Sequence, residues 1–261
     1  MVKICSDTYP TDNKSFHKYP FELDVFQKHT IEAIDKNTHV LITAHTGSGK
    51  TLGAEYIIEK FCSQGKKVIY TAPIKSLSNQ KFNEFSEKFP NITFGILTGD
   101  IKFNPEADCL IMTTEILRNF LFHQLMDNNE NLLYFNININ DLSWVIFDEI
   151  HYINNHERGK VWEETIMMLP SHTRFLMLSA TIENPIAFAK WIEDTKKSEV
   201  WVASTNVRAV PLTHYSFLTL RSKLSEFHGR DNKLIDNELH KPILLKKHNG
   251  NFNDNHYSTI S

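Results

Sequence analysis

The sequence predicts an α/β protein with a parallel central sheet and helices on both faces. Two observations support this prediction: short apolar, β-branched runs recur along most of the chain, and segments with helical periodicity separate them. Strands that alternate with helices are typical of βαβ units, in which successive strands run parallel. The predicted strands are Val40–Thr43, Val68–Thr71, Thr93–Leu97, Cys109–Thr113, Trp144–Asp148, Phe175–Leu178 and Val200–Ala203.

The intervening segments have the apolar spacing of amphipathic helices. One helix is predicted after Lys50, a second begins at Thr114, and a third follows Arg158. In each of them apolar residues recur three or four positions apart and mark one face, which is predicted to pack against the sheet. These inward-facing residues are Ala54, Ile57, Ile58 and Phe61, then Ile116, Leu117, Phe120 and Leu121, then Trp162, Ile166 and Leu169.

Composition and charge limit the class of protein before any motif is considered. The 261-residue chain is 41% hydrophobic, enough for a substantial core, which argues against wholesale disorder. Its formal net charge of −3 means that any nucleic-acid surface has to be local. The cysteines Cys5, Cys62 and Cys109 are far apart without a zinc-ligand pattern, so reduced thiols are expected. No apolar run approaches the length of a membrane span, so we expect a soluble intracellular protein without a membrane partner, either cytoplasmic or nuclear.

The chain is predicted to divide into three segments. Residues 1–18 form an N-terminal extension, and residues 19–215 form one α/β domain. Beyond Tyr215 the periodicity weakens, so residues 216–261 are predicted to be a linker or tail, partly disordered. The asparagine-rich segment from His123 to Asn140 has poor periodicity and is predicted to be a surface insertion.

A phosphate-binding loop is predicted directly after the strand Val40–Thr43. The loop comprises Ala44, His45, Thr46, Gly47, Ser48, Gly49, Lys50 and Thr51, and a helix follows it. The glycines let backbone N–H groups point at phosphate oxygens, and the helix N-terminus adds the positive end of its dipole. Lys50 can reach the β- and γ-phosphates, and the Thr51 hydroxyl can ligate Mg²⁺. The alternative, a chance glycine-rich turn, does not account for Gly-Lys-Thr between a strand and a helix.

Two acids follow another buried strand. The apolar run Trp144–Phe147 ends in Asp148-Glu149-Ile150-His151, and open α/β sheets have their active sites at the carboxyl ends of strands. Asp148 is predicted to hold Mg²⁺, and Glu149 to act as the general base that deprotonates the attacking water. Taken alone, the two acids could equally form a turn and a helix cap. Together with the phosphate-binding loop, they predict hydrolysis of a nucleoside triphosphate.

A candidate adenine contact precedes the loop. The amide of Gln27 can donate to and accept from the edge of adenine, which would select ATP. The aromatic ring of Phe21 can stack on the base. An exposed helical glutamine and a core phenylalanine are equally compatible with these two positions, so the assignment depends on its context.

The ordered motifs resemble those of superfamily-two DExH-box RNA helicases of the superkiller-like (Ski-type) group. Gln27, the phosphate-binding loop and Asp148–His151 resemble the Q motif, motif I and motif II of that group. The resemblance runs from about Tyr19 to Tyr215, and one departure is Glu183, where the family usually has proline. The further matching segments are Thr71–Phe82, Leu97–Asp100, Ile111–Arg118, Glu157–Gly159, Val161–Glu164 and Leu178–Thr181.

This resemblance implies a RecA-like P-loop NTPase fold, ATP and Mg²⁺ as cofactors, and single-stranded RNA as a partner. It also implies that His151, Ser179 and Thr181 couple the nucleotide site to the strand site. Hydroxyls, backbone amides and a few cations contact phosphates without reading bases, which suits a motor. Ordinary surface cations and a helix cap are the alternatives for some of the implied RNA contacts. Those contacts are Pro73, Lys75, Ser76, Gly99, Asp100, Thr114, Glu115 and Arg118.

Helicases of this group need a second RecA-like domain that contributes arginine fingers. Nothing after Tyr215 resembles such a domain, so we expect it to be joined in cis or to act as a separate chain. Two other functions remain open from the sequence. One is a related DNA helicase motor, which the RNA-type Ile74–Lys81 segment disfavours. The other is a non-catalytic, nucleotide-gated RNA-binding module, which the intact Lys50, Asp148 and Glu149 disfavour.

Overall fold

The computed structural model describes residues 1–9, 14–125, 138–180, 182–207, 212–217 and 242–246. The chain separates into two compact units, residues 1–207 and residues 208–261. Most of the segment predicted as a surface insertion, and most of the predicted tail, lie outside the described residues. Within the described part, no helix has both the length and the apolar character needed to cross a bilayer.

The larger unit is built on one sheet, and the smaller unit contains an antiparallel strand pair. The strands are β1 (Val2–Ile4), β2 (His39–Ala44), β3 (Lys67–Ala72), β4 (Phe94–Leu97), β5 (Lys102–Phe103), β6 (Cys109–Thr113), β7 (Leu142–Phe147), β8 (Arg174–Ser179) and β9 (Val200–Thr205) in the larger unit, and β10 (His214–Phe217) and β11 (Pro242–Lys246) in the smaller. The nine-stranded sheet has the order β1-β9-β2-β8-β7-β3-β6-β4-β5. Its pairs are parallel except β4 with β5. The parallel strands therefore end at one edge of the sheet.

Helices connect successive strands and cover both faces of this sheet. The helices are α1 (Val25–Asp35), α2 (Thr51–Ile57, continued by a π-helical turn at Ile58–Cys62), α3 (Lys75–Lys88), α4 (Thr114–Leu125), α5 (Gly159–Met168) and α6 (Pro185–Lys196). Short 3₁₀ turns lie at Lys14–Phe16, Ile139–Asp141 and Ile150–Asn154. The α/β fold with a parallel sheet is therefore confirmed.

Two apolar cores, one on each face of the sheet, hold the helices in place. On one face, Ile31 of α1, Ile57 of α2 and Phe85 of α3 are fully buried against the sheet. On the other face, Trp162 of α5 and Ile192 of α6 are fully buried. The alternation of one strand's side chains between the two cores follows from the twofold period of a strand. The sheet is thus the rigid platform that carries the loops at its carboxyl edge.

Two edge strands were not predicted. β1 pairs with β9 in parallel through Val2–Ile4, within the predicted N-terminal extension, and β5 pairs with β4 in antiparallel. Both are only two or three residues long and contain a lysine, so neither has the apolar run that identifies a buried strand. A strand at the edge of a sheet has a neighbouring strand on one side only, so it is less buried than a central strand and does not need a continuous apolar run.

Candidate nucleotide and strand-binding site

The loop between β2 and α2 has the backbone of a phosphate-binding loop. Gly47 and Gly49 have φ angles of 81° and 82°, a region that other residues rarely adopt. A Cβ on Gly49 would also lie 2.6 Å from Nε2 of Gln27, so a side chain there would displace the Gln27 amide. Thr46 is exposed and His45 is half-buried, whereas the buried Oγ of Ser48 has no hydrogen-bond partner. The loop therefore combines two glycines in the left-handed region with a hydroxyl that lacks a partner among the described residues.

The ammonium of Lys50 faces the carbonyl end of β2 and two carboxylates. Its Nζ donates a 2.7 Å hydrogen bond to the backbone oxygen of Ala44. Burial lowers the pKa of Lys50, and the negative charges of Glu149 and Asp148 act in the opposite direction. Residues that are about one hundred positions apart in sequence are thus electrostatic neighbours at this edge of the sheet.

Asp148 directly follows β7 and is 8% exposed. Both of its carboxylate oxygens accept hydrogen bonds: Oδ2 from the hydroxyl of Tyr70 at 2.6 Å, and Oδ1 from the backbone N–H of Glu149 at 3.0 Å. Its own N–H donates to the backbone oxygen of Thr71 on β3. Each carboxylate oxygen keeps a second lone pair, so the group is oriented and still able to bind a cation.

Glu149 has a strained backbone that directs its side chain. Its φ and ψ are 49° and 47°, in the left-handed region that a residue without an amide or small side chain seldom adopts. Its Oε2 lies 3.1 Å from Nδ1 of His151, but the two atoms lack hydrogen-bond alignment, and each is without a hydrogen-bond partner. The carboxylate is therefore available to accept a proton.

Gln27 joins α1 to the phosphate-binding loop. Its Nε2 donates to the backbone oxygen of Gly49 at 3.2 Å, and its Oε1 accepts from the backbone N–H of Asp24 at 3.0 Å. The side chain is 7% exposed, whereas the ring of Phe21 is 54% exposed and lies 5.7 Å from the ring of Tyr19. One N–H and one lone pair of the Gln27 amide remain for a ligand.

A second open groove lies where β3, β4 and β6 end, and we call it the strand groove. It is lined by Pro73, Ile74, Lys75, Ser76, Gly99, Thr113, Glu115, Ile116 and Arg158. Asp100, at its rim, is paired with Lys75. Most of the residues that the resemblance assigned to RNA lie in or beside this groove.

Three of the assigned RNA contacts have limited access to this groove in the structure. Thr114 is fully buried, and Pro73 is buried at the start of the loop before α3. Nε of Arg118 donates to Glu164 of α5 at 2.7 Å, so its guanidinium is engaged within the protein. Pro73 and Thr114 could therefore act through their backbones and their helix starts.

Two of the three predicted coupling residues lie within the described residues. Ser179 ends β8, next to β2, and its fully buried Oγ has no hydrogen-bond partner among the described residues. His151 lies in the 3₁₀ turn that follows Glu149. Thr181 lies outside the described residues.

At the carboxyl edge of the sheet, two residues contact the site in ways that the sequence motifs did not predict. Tyr70 lies in a run of apolar residues and looks like an ordinary core residue until its hydroxyl is located next to Asp148. From the sequence, Arg158 belongs to the matching segment Glu157–Gly159 and precedes a predicted helix. In the structure its guanidinium contacts both Pro73 and Glu115. A buried tyrosine on the strand beside an active-site strand is the signal that could have identified the first of them.

These residues fit Mg²⁺ and a nucleoside triphosphate. Carboxylate and hydroxyl oxygens are the ligands that Mg²⁺ prefers, and Asp148 and Thr51 offer one of each. The positive-φ glycines, the unpartnered Ser48 hydroxyl and Lys50 suit phosphate oxygens. Fold and site together define a P-loop nucleotide-binding domain.

The family is shown by comparison with known proteins. The chain belongs to the DEAD/DEAH box helicase family, whose model matches residues 24–188. Membership in this family implies the use of ATP. The resemblance to DExH-box RNA helicases of the Ski type is thereby confirmed at the level of the family and of its relatives.

Several relatives are similar over one stretch of their length. The antiviral helicase SKI2 of Saccharomyces cerevisiae is 48% identical over 74% of this chain and 14% of its own length. Human superkiller complex protein 2 is 48% identical over 79% of this chain and 16% of its own. The human exosome RNA helicase MTR4 is 46% identical over 80% of this chain and 19% of its own. The chain therefore spans less than a fifth of the length of these curated relatives.

Solved structures share the fold. The helicase Lhr of Mycobacterium smegmatis, bound to ssDNA and AMP-PNP, aligns with a TM-score of 0.55 at 24% identity, over 69% of this chain and 25% of that one. The helicase MrfA, bound to DNA and AMPPNP, aligns with a TM-score of 0.58 at 17% identity, over 79% and 31%. At these identities the likeness supports a helicase RecA-like fold.

Proposed function

We propose that this chain is the ATP-binding motor domain of an ATP-dependent RNA helicase. Joined to a second RecA-like domain, it would hydrolyse ATP to translocate on RNA or unwind it. The observation that carries the proposal is the convergence of Lys50, Asp148 and Glu149 at one sheet edge, beside the strand groove. The names of the relatives, among them an exosome RNA helicase, support RNA as the substrate.

In this proposal the phosphate-binding loop, from Ala44 to Thr51, holds the triphosphate, with Gln27 and Phe21 at the base. Thr51 and Asp148 would hold Mg²⁺, which when bound neutralises charge on the phosphate oxygens. Lys50 would leave the carbonyl of Ala44 and donate to the phosphates. Glu149 would take the proton of the attacking water at its carboxylate.

The strand groove would follow the backbone of one RNA strand. Its exposed polar groups include the backbone of Gly99, the hydroxyl of Ser76 and the ammonium of Lys75, none of which distinguishes bases. Asp100 holds Lys75 in place, and Glu115 lies at the start of α4. Binding through phosphates predicts weak sequence preference and strong salt dependence.

Coupling between the two sites is proposed to pass through the segment after Glu149 and the end of β8. Oε2 of Glu149 lies beside Nδ1 of His151, so a change in the position of the Glu149 carboxylate on hydrolysis would displace the 3₁₀ turn that follows. The buried hydroxyl of Ser179 has no partner among the described residues, so a rearrangement at the end of β8 could give it one. Thr181 keeps its proposed role from the resemblance alone.

We also propose that the motor domain extends from residue 19 to residue 215, in a soluble intracellular protein. The flanking segments would be an N-terminal extension, residues 1–18, and a linker or tail, residues 216–261. The proposed partner is a second RecA-like domain, in cis or in trans. Its arginine fingers would stabilise charge on the transferring phosphate, a contribution of about 10³–10⁵ in rate in related enzymes.

The test is phosphate release with and without RNA, by the 261-residue chain alone and with a second RecA-like domain fused or added. Alone, the chain is expected to bind Mg-ATP and RNA weakly and to unwind no duplex, and RNA should scarcely stimulate its ATPase. With the second domain, stimulation should appear. Stimulation by a DNA strand of the same sequence but not by RNA would favour the DNA helicase alternative. Absence of nucleotide binding in every combination would refute the proposal.

A further inference from the structure

Arg158 connects the two helix starts that form the strand groove. Its Nη2 donates to the backbone oxygen of Pro73 at 2.7 Å and also contacts the carboxylate of Glu115. Pro73 precedes α3, and Glu115 lies in the first turn of α4. One guanidinium nitrogen therefore joins two segments that are about forty residues apart in sequence.

The backbone around Arg158 is held in a tight turn. Oδ1 of Asn155 accepts hydrogen bonds from the backbone N–H groups of Glu157 at 3.0 Å and Arg158 at 3.1 Å. The N–H of Gly159 donates to the backbone oxygen of Asn155 at 2.7 Å. A Cβ on Gly159 would lie 2.0 Å from the backbone oxygen of Ile153, so only glycine fits there. The position of Arg158 is thus set before any strand binds.

Two aromatic rings restrict the guanidinium as well. Its Cζ lies 6.0 Å from the ring centre of Tyr152 and 5.8 Å from that of Trp162. The rings of Tyr152 and Trp162 are themselves stacked, with their centres 6.1 Å apart. A planar cation beside aromatic rings is attracted by them and loses few rotamers on making its hydrogen bonds.

The contacts of Arg158 with Pro73 and with Glu115 both affect how a phosphate would bind in the strand groove. Ile74, the residue before α3, makes no side-chain cap, and the first N–H groups of a helix have no acceptor within the helix, so they can donate to an anion. Holding Pro73 fixes where these N–H groups point. An unpaired Glu115 at the groove would repel a phosphate, and the contact with Arg158 neutralises it.

We propose that Arg158 is a positioning residue for strand binding, which aligns the start of α3 and neutralises Glu115 rather than contacting the strand. This inference rests on the proposed function, because it assumes that a nucleic-acid backbone occupies the strand groove. Lysine is not an equivalent at this position: it keeps the charge but lacks a planar group that can lie beside two rings while donating to two acceptors.

The experiment measures the affinity of the 261-residue chain for a fluorescently labelled oligouridylate by anisotropy over a series of salt concentrations. The variants are Arg158→Ala and Arg158→Lys. The matched control is Lys190→Ala, which removes a positive charge from an exposed position on α6. Calorimetry with Mg-AMP-PNP and thermal melting test whether the nucleotide site and the fold survive.

Both Arg158 variants are expected to bind the strand about tenfold more weakly, because neither side chain holds Pro73 and Glu115 together. In Arg158→Lys, which keeps the charge, the slope of log affinity against log salt should stay unchanged. The nucleotide affinity should stay unchanged in both variants. The inference is overturned if Arg158→Lys binds like the parent chain, because charge alone would then suffice. It is also overturned if the slope of Arg158→Lys decreases by about 0.7, the effect of one lost phosphate contact.

An equal loss of strand affinity in Lys190→Ala would also overturn the inference, because the effect would then come from the overall charge of the chain. If the parent chain binds nucleotide but no RNA, the RNA part of the proposed function is refuted, and the role of Arg158 falls with it. If the parent chain binds RNA and both Arg158 variants bind it as tightly as the parent, the proposed function stands without this inference.

Discussion

The hydroxyl of Tyr70 donates a 2.6 Å hydrogen bond to Oδ2 of Asp148 across neighbouring strands β3 and β7. Tyr70 is fully buried, and burial together with the adjacent Asp148 raises its pKa well above the ordinary value. The phenol therefore remains protonated and donates throughout the physiological pH range. This contact orients the carboxylate that we propose to hold Mg²⁺, as outer-shell donors do for metal ligands.

Replacing Tyr70 with phenylalanine removes this donor and keeps the ring. We expect Tyr70→Phe to need about 10-fold more Mg²⁺ for half-maximal ATP binding, because outer-shell contacts of metal ligands contribute 10- to 100-fold. Calorimetric ATP titrations over a range of Mg²⁺ concentrations measure this shift. The matched control is Tyr56→Phe, whose hydroxyl donates to Asp35 instead. An unchanged Mg²⁺ requirement in Tyr70→Phe would show that the contact serves only the core.

Removing the ammonium of Lys50 should abolish ATP binding without unfolding the protein. Lys50 is only half-buried, in a loop, and its side chain makes its hydrogen bond to the loop carbonyl of Ala44, so Lys50→Ala leaves no large cavity. We expect a loss of at least about 100-fold in affinity, the upper range for a hydrogen bond to a charged group. The control is Lys66→Ala, at an exposed position. Mg-ATP affinity within threefold of the parent chain would remove Lys50 from the site.

Glu149→Gln should separate binding from turnover. The amide keeps the size of the side chain and can still accept a hydrogen bond, but it cannot take a proton at neutral pH. With a second RecA-like domain present, we expect the turnover number to decrease about 10²- to 10⁴-fold while ATP still binds. Glu163→Gln, an exposed acid on α5, is the matched control. Equal turnover in Glu149→Gln and the parent would exclude Glu149 as the base.

Gln27→Ala should reduce the preference for ATP over other nucleoside triphosphates. The phosphate-binding loop recognises no base, so selection has to come from polar groups near the ring edge. The structure adds a second consequence, because the variant also loses the hydrogen bond to the oxygen of Gly49 and so loosens the loop. We expect ATP affinity to decrease about tenfold and the ratio of ATP to GTP affinity to approach one.

Competition binding with GTP measures this ratio. The variant Gln27→Glu keeps the acceptor for the N–H of Asp24 but loses both N–H groups of the amide, so it tests the contribution of the donors apart from that of the acceptor. If the parent chain already binds GTP as tightly as ATP, Gln27 has only a structural role.

The strands were predictable because parallel strands buried on both faces are continuous apolar runs. Cys109–Thr113 was predicted with the bounds that the structure has, and the other six predicted strands lie in the sheet within about two residues of their predicted ends. The edge strands β1 and β5 were not, because their residues carry no such run. Ile116, which was predicted to face the core, packs against it but is only half-buried, because it also lines the strand groove. Helical periodicity predicts which face of a helix is apolar, but it does not predict what that face lies against.

By itself, the sequence determined the fold class, the family and the approximate place of the nucleotide site. These properties depend on local patterns: Gly47 and Gly49 before Lys50, and acids directly after an apolar strand. The tertiary structure alone decided which distant side chains meet. Tyr70 contacts Asp148, and Arg158 contacts Pro73 and Glu115, because the order of strands in the sheet differs from their order in the chain. Gln27 contacts Gly49 because α1 packs beside α2. Hydrogen bonds between residues so far apart depend on strand register and helix packing, which no short motif encodes.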